Sequence, residues 1–170
     1  MNNIPTYSVV AFSGTGKTTL LEKLIPELKR NGLRVGVLKH DAHDFDVDRE
    51  GKDSWRLTNA GADVTAIVSA EKAVIMENRP VPVESVFRKI DNVDILITEG
   101  YKHGAWPKIA LYRSASGKPL ALPPEECFAV MSDTPLDIGT PLFALDDIRG
   151  LAELILCDMR EKQQKTAKDR

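Results

Sequence analysis

The stretch Ser8-Val9-Val10-Ala11-Phe12-Ser13-Gly14-Thr15-Gly16-Lys17-Thr18-Thr19-Leu20-Leu21 decides the fold. An apolar run passes through a glycine-bearing turn into Gly-Lys-Thr, and leucines at helix spacing follow. Strand, turn and helix in that order are the context a phosphate-binding loop requires. Gly14 and Gly16 let the backbone curl so that successive amides point inward. The helix that follows adds unpaired N–H groups and a partial positive charge at its head. Ser13, Gly14, Thr15, Gly16, Lys17, Thr18 and Thr19 are therefore the candidate phosphate-binding residues. Lys17 is placed to bridge β and γ phosphates, and the Thr18 hydroxyl to ligate Mg²⁺. The loop departs from G-x-x-x-x-G-K-[ST] only in having Ala11 in place of the first glycine. The expected ligand is a purine nucleoside triphosphate with Mg²⁺.

Further along, Val93-Asp94-Ile95-Leu96-Ile97-Thr98-Glu99-Gly100 is an apolar strand ending in an acid and a glycine. Ligands of open α/β sheets sit at the carboxyl ends of strands. Glu99 is thus placed to hold Mg²⁺ or to orient an attacking water, and Gly100 to let the backbone approach a phosphate. Asp94, at the other end of the strand, is a poorer candidate. Lys39-His40-Asp41-Ala42-His43-Asp44-Phe45-Asp46-Val47-Asp48 leaves the second strand as a polar loop. Asp41 is the preferred acid in it for the metal or the lytic water. The His40/His43 spacing invites zinc, but no cysteine accompanies it and the segment is not helical. Lys102 and His103 are phosphate-facing or solvated loop residues. For the base, Asp133 at the end of the Phe128–Met131 run has two readings of equal standing. It accepts from guanine N1 and N2, or it is a turn aspartate before Pro135.

Other short apolar runs are Val35–Lys39, Val64–Ser69, Ala73–Met76, Ile109–Tyr112 and Leu142–Leu145. Several are continuously apolar, as strands buried on both faces are. Helical spacing falls at Leu20–Leu28 (through Pro26), Lys52–Ala60, Val83–Ile90 and Asp147–Arg160. Asp146 or Asp147 caps the last. A strand–helix–strand start implies a parallel pair. The three residues between Val64–Ser69 and Ala73–Met76 allow only a hairpin. The class is α/β, a phosphate-loop three-layer fold with a mixed, mainly parallel sheet. Residues 1–160 form a single nucleotide-binding domain, and 161–170 a polar, frayed tail.

With 170 residues, 42% hydrophobic and 28% charged, the chain can bury roughly 70% of its unfolded surface without staples. A formal net charge of −2 gives no reason to expect nucleic-acid or membrane-surface partners. Cys127 and Cys157 lie in apolar stretches and read as buried, reduced thiols. The beginning of the sequence does not read as a signal peptide, and no apolar run reaches membrane-spanning length, so a cytoplasmic location is expected.

The ordered set from Ala11–Leu20 through Leu38-Lys39-His40, His43-Asp44-Phe45-Asp46-Val47-Asp48, Gly51-Lys52-Asp53-Ser54, Glu99-Gly100-Tyr101-Lys102-His103 and Ser132-Asp133-Thr134-Pro135-Leu136 resembles one family. That family is the adapter protein, protein B, of molybdopterin-guanine dinucleotide biosynthesis, and the resemblance spans about residues 5–158. It implies a GTP-binding, weakly hydrolysing homodimer. Such a protein assists the nucleotidyltransferase that guanylylates molybdopterin, with molybdopterin itself as a further ligand. The alternative is a small-molecule kinase on the same scaffold. Such kinases need an arginine-bearing lid, and the arginines here are scattered, though Arg113 and Lys108 are candidates for a pterin phosphate.

Overall fold

In the computed structural model, residues 4–40 and 45–168 are described. They divide into two compact units, one built from residues 4–40 and 92–168 and the other from 45–91.

The larger unit is a six-stranded sheet in the order β2-β5-β1-β6-β7-β8. Its strands are β1 (Thr6–Val10), β2 (Val35–Lys39), β5 (Ile95–Glu99), β6 (Lys108–Tyr112), β7 (Ala129–Ser132) and β8 (Leu142–Ala144). All neighbouring pairs are parallel. The α/β class and the mainly parallel sheet are those the sequence predicts. Strand alternation sends Tyr7, Val9, Ile95, Ile97, Ile109, Leu111, Ala129 and Met131 to one face. There they meet Leu20, Leu21, Leu24 and Leu28 of α1 (Lys17–Arg30) and Leu151, Ala152, Ile155 and Met159 of α4 (Ile148–Lys168). Fully burying one such leucine contributes roughly 1.5–3 kcal/mol relative to leaving it exposed. The Tyr7 hydroxyl donates to Asp158 of α4, and its burial beside that carboxylate pushes its pKa up. On the opposite face Val10, Ala110 and Val130 pack against Leu120, Leu122, Leu136 and Ile138 of loop segments. Ser8 and Thr98, both buried, satisfy each other at 2.8 Å.

Four details differ from expectation. β1 and β2 are parallel but do not pair, because β5 lies between them. Ile95, Leu96, Ile97 and Thr98 are all buried and suit a central strand. Val37 and Lys39 of β2 are exposed, as an edge strand tolerates. The expected hairpin forms, but as a separate two-stranded sheet rather than as part of the main one. α4 continues past Arg160 to Lys168, its last turns fully solvated, where the sequence suggested a frayed tail. Cys157 lies on the exposed side of α4 and Cys127 is half-buried, so neither is the fully buried thiol expected.

The smaller unit contains α2 (Asp53–Asn59), the antiparallel hairpin β3 (Val64–Val68) and β4 (Ala73–Glu77), and α3 (Val83–Lys89). Ile67, Val68 and Ile75 of the hairpin are exposed. Among the described residues no helix is long and apolar enough to cross a membrane.

Candidate functional site

β1 ends at Val10 and α1 begins at Lys17, so the quoted loop bridges the carboxyl end of a central strand and the head of a helix. Gly14 and Gly16 have φ of 78° and 111°, a region that strains a residue with a Cβ. No atom would meet a Cβ at Gly14 within 4 Å, which leaves open space over the loop. Thr15 is buried, and its hydroxyl has no hydrogen-bond partner among the described residues. Lys17 turns back on its own loop, its Nζ donating to the carbonyls of Ala11 at 3.1 Å and Phe12 at 3.2 Å.

The register of β5 against β1 sets Val9 opposite Glu99 and so delivers the acid beside the loop. The Thr18 hydroxyl donates to Glu99 Oε1 at 3.3 Å and Oε2 at 3.4 Å. A hydroxyl and a carboxylate brought together at a strand end are hard oxygen donors, the set Mg²⁺ prefers. Gly100 (φ 97°) donates its N–H to Val9 O at 3.0 Å and passes close to His40, whose Cβ stands 3.5 Å from where a Gly100 Cβ would be. The open cradle, the orphaned Thr15 hydroxyl and the Thr18–Glu99 pair together fit a polyphosphate carrying a divalent cation.

Of the other sequence candidates, Asp41 and His43 lie outside the described residues. Lys102 places its ammonium 5.8 Å from the Phe12 ring centroid, a cation–π approach at the loop. Lys108 is buried and its ammonium donates to the carbonyls of Gly104 and Trp106, so it is a structural group rather than a free phosphate binder. Asp133 lies at the end of β7 with both oxygens engaged. Oδ1 accepts from the Ser114 N–H at 2.8 Å and Oδ2 from the Ser114 hydroxyl at 3.0 Å. Those bonds, helped by the charge of Arg113, lower its pKa. Asp94 pairs with Arg34, its Oδ1 at 2.8 Å from Arg34 Nη2, and sits away from the loop as expected.

Sequence reasoning missed three groups. Arg113, read only as a pterin-phosphate candidate, reaches the phosphate loop itself, with Nη2 3.5 Å from a Cβ built on Gly16. Lys118, in the Pro/Gly/Ser-rich loop, donates to Ser13 O at 2.8 Å. Beside Gly16 a cleft of about 290 Å³ opens between α1 and the ends of β6, β7 and β8, lined in part by Lys23, Asp133 and Asp146. Lys118 reaches Ser13 from 105 positions away, and Asp146 lines the cleft only because β8 lies beside β7, relations that no local spacing reveals.

A family model described as molybdopterin guanine dinucleotide synthesis protein B matches residues 6–133. The molybdopterin-guanine dinucleotide biosynthesis adapter protein of Haemophilus influenzae is 40% identical over 91% of this chain and 89% of its own length. The chain belongs to the protein B family. The Escherichia coli adapter protein is 39% identical over 90% of this chain and 92% of its own length. Among solved structures, Bacillus subtilis MobB superposes with a TM-score of 0.72 at 29% identity, covering 91% of this chain and 97% of that one. A MobB homologue from Bacillus stearothermophilus gives 0.67 at 28%, covering 92% and 98%. The protein B match includes the loop, Glu99 and Asp133, so the geometry above is that of a family member across the matched region.

Proposed function

We propose that this protein binds GTP with Mg²⁺ in the cradle between Gly14 and Thr18, hydrolyses it slowly, and in that role assists guanylylation of molybdopterin. As a protein B family member the chain is an adapter in molybdopterin guanine dinucleotide biosynthesis. The observation that carries the nucleotide reading is the juxtaposition of two left-handed glycines, Lys17 and the Thr18–Glu99 pair, where the ends of the neighbouring strands β1 and β5 meet the start of α1.

In this reading the amides of residues 14–18 ring the terminal phosphates. Lys17 leaves the carbonyls of Ala11 and Phe12, which it contacts at 3.1 and 3.2 Å, for β- and γ-phosphate oxygens. The exchange of neutral for anionic acceptors favours the bound arrangement. Thr18 and Glu99 would hold Mg²⁺, which when bound neutralises charge developing on the phosphates. The Glu99 carboxylate also holds and orients a water. Among the described residues Glu99 is the carboxylate bonded to the Thr18 hydroxyl, and the arginines are not gathered into a lid, so in this reading turnover is slow and phosphoryl transfer to a small-molecule acceptor is disfavoured.

The partner is the nucleotidyltransferase that attaches GMP to molybdopterin, with molybdopterin as a further ligand and the cytoplasm as the location. A homodimer is supported by the hairpin, whose Val68, 82% exposed, and Ile75, 67% exposed, lie on a two-stranded sheet with free edges. The test is to add this protein with GTP and Mg²⁺ to the transferase and measure the yield of guanylylated cofactor. An increase that the Lys17→Ala variant fails to give is expected; equal yields with and without the protein contradict the assignment.

A further inference from the structure

We propose that the cleft beside Gly16 is the base pocket of this protein, and that Asp146, not Asp133, is the carboxylate that reads guanine. The inference rests on the triphosphate reading above and adds the residue that selects the base. The cleft, about 290 Å³, starts at Gly16 and Thr19 and so continues directly from the phosphate cradle. Its size is at the small end of ligand clefts, which run from roughly 300 to 1,000 Å³. Leu20 and Leu111, both buried, and half-buried Leu145 give it an apolar floor. A flat aromatic ring system covers such a floor without stranding polar atoms, since its hydrogen-bonding groups lie on its edge.

The rim carries the selectivity. Lys23, on α1, is a donor; Asp146, after β8, is an acceptor. Guanine offers an acceptor, O6, beside two donors, N1–H and the 2-amino group. Adenine offers a donor at N6 and an acceptor at N1. A carboxylate with a nearby ammonium matches the guanine edge at each group and opposes the adenine edge at each group. Asp133 lines the same cleft, but it is already committed. Its two oxygens hold the Ser114 N–H and hydroxyl, and this fixes the turn that starts from Arg113. Its charge is further offset by Arg113. Asp146 is exposed, and among the described residues its carboxylate makes no hydrogen bond or ion pair. The neighbouring Asp147, by contrast, caps α4 through the Gly150 N–H at 2.9 Å. The division of labour is therefore Asp147 for the helix, Asp133 for the loop and Asp146 for the ligand.

The test is calorimetric titration of the full-length wild type, Asp146→Asn and Asp133→Asn with GTP, XTP and ATP in Mg²⁺. Xanthine carries a carbonyl where guanine carries the 2-amino group, so the asparagine amide donates where the carboxylate accepted. Asp146→Asn is expected to weaken GTP by at least about tenfold, as the loss of a charged hydrogen bond does, and to tighten XTP by a similar factor. Asp133→Asn is expected to keep the wild-type preference for GTP over XTP. Circular dichroism checks that each variant is folded. An unchanged order in folded Asp146→Asn, a GTP-to-XTP exchange in Asp133→Asn instead, or equal wild-type affinity for GTP and ATP overturns the inference while leaving the phosphate-loop reading standing. Failure of the wild type to bind any of the three triphosphates overturns that earlier reading, and this one with it.

Discussion

Lys17 and Glu99 hold opposite duties at the mouth of one strand pair. The ammonium of Lys17 rests on two backbone carbonyls, neutral acceptors that the proposed triphosphate would replace with charged ones. Lys17→Ala is expected to weaken GTP binding by about a hundredfold or more, the loss of two charge-assisted bonds, with the circular dichroism spectrum and urea midpoint close to wild type. Undiminished affinity in calorimetry would show that the lysine does not face the ligand. Glu99 accepts from Thr18 and stands at the strand end beside the loop. Glu99→Gln keeps the side chain's shape and removes its charge, and is expected to retain GTP binding while phosphate release falls by roughly a hundredfold. An unchanged release rate in single-turnover assays would make the protein a binder without hydrolysis through this group. Both residues were legible in the sequence because each follows an apolar strand, and strand ends are where such sheets present ligands. Arg113, Lys118 and Asp146 were not assigned to the loop or its cleft, because their relation to Gly16 and Ser13 depends on which strands become neighbours. Asp133 was visible as a candidate, but its engagement by Ser114, nineteen positions away, was not.

At the scale of elements, the placement of β5 between β2 and β1 matters most, since it puts Glu99 next to the loop. The entry of β2 is fastened to β5 by Asp94, which accepts from the Arg34 N–H at 2.7 Å and from its guanidinium at 2.8 and 3.1 Å. The Arg34 bonds lower the Asp94 pKa to about 2. A carboxylate depressed on folding contributes stability above its unfolded pKa, about 3.9, and loses it as pH falls through the folded value. The wild type is therefore expected to be more stable than Asp94→Asn at pH 5, with the difference in urea midpoint shrinking between pH 4 and 2. A difference that stays constant across that window would show that the pair does not fasten the strand. Strand existence was readable from apolar runs, and the run Ile95–Thr98 announced a buried strand. Its neighbours could not be read, because β1–α1–β2 order fits both direct pairing and pairing with a strand inserted.

On the scale of the whole molecule, the hairpin β3–β4 is a two-stranded sheet of its own, with Ile67, Val68 and Ile75 exposed. Two strands alone are marginal in water, and in the proposed homodimer pairing with a second copy would stabilise them. Ile75→Glu is expected to shift the protein from dimer to monomer in sedimentation velocity while leaving GTP binding by the larger unit intact. A wild type that sediments as a monomer at all accessible concentrations would contradict the proposed homodimer. The two apolar runs and the three residues between them made the hairpin readable; that it forms a sheet of its own was not, since local sequence does not say which strands become neighbours.

All of this depends on a nucleotide seated at the head of α1. The most direct measurement is a crystal structure with a slowly hydrolysed GTP analogue and Mg²⁺. The account predicts density for the β phosphate among the amides of residues 14–18, Lys17 Nζ on phosphate oxygens, and the metal beside Thr18 and Glu99. Analogue density elsewhere on the molecule, with Lys17 still on the carbonyls of Ala11 and Phe12, would contradict it.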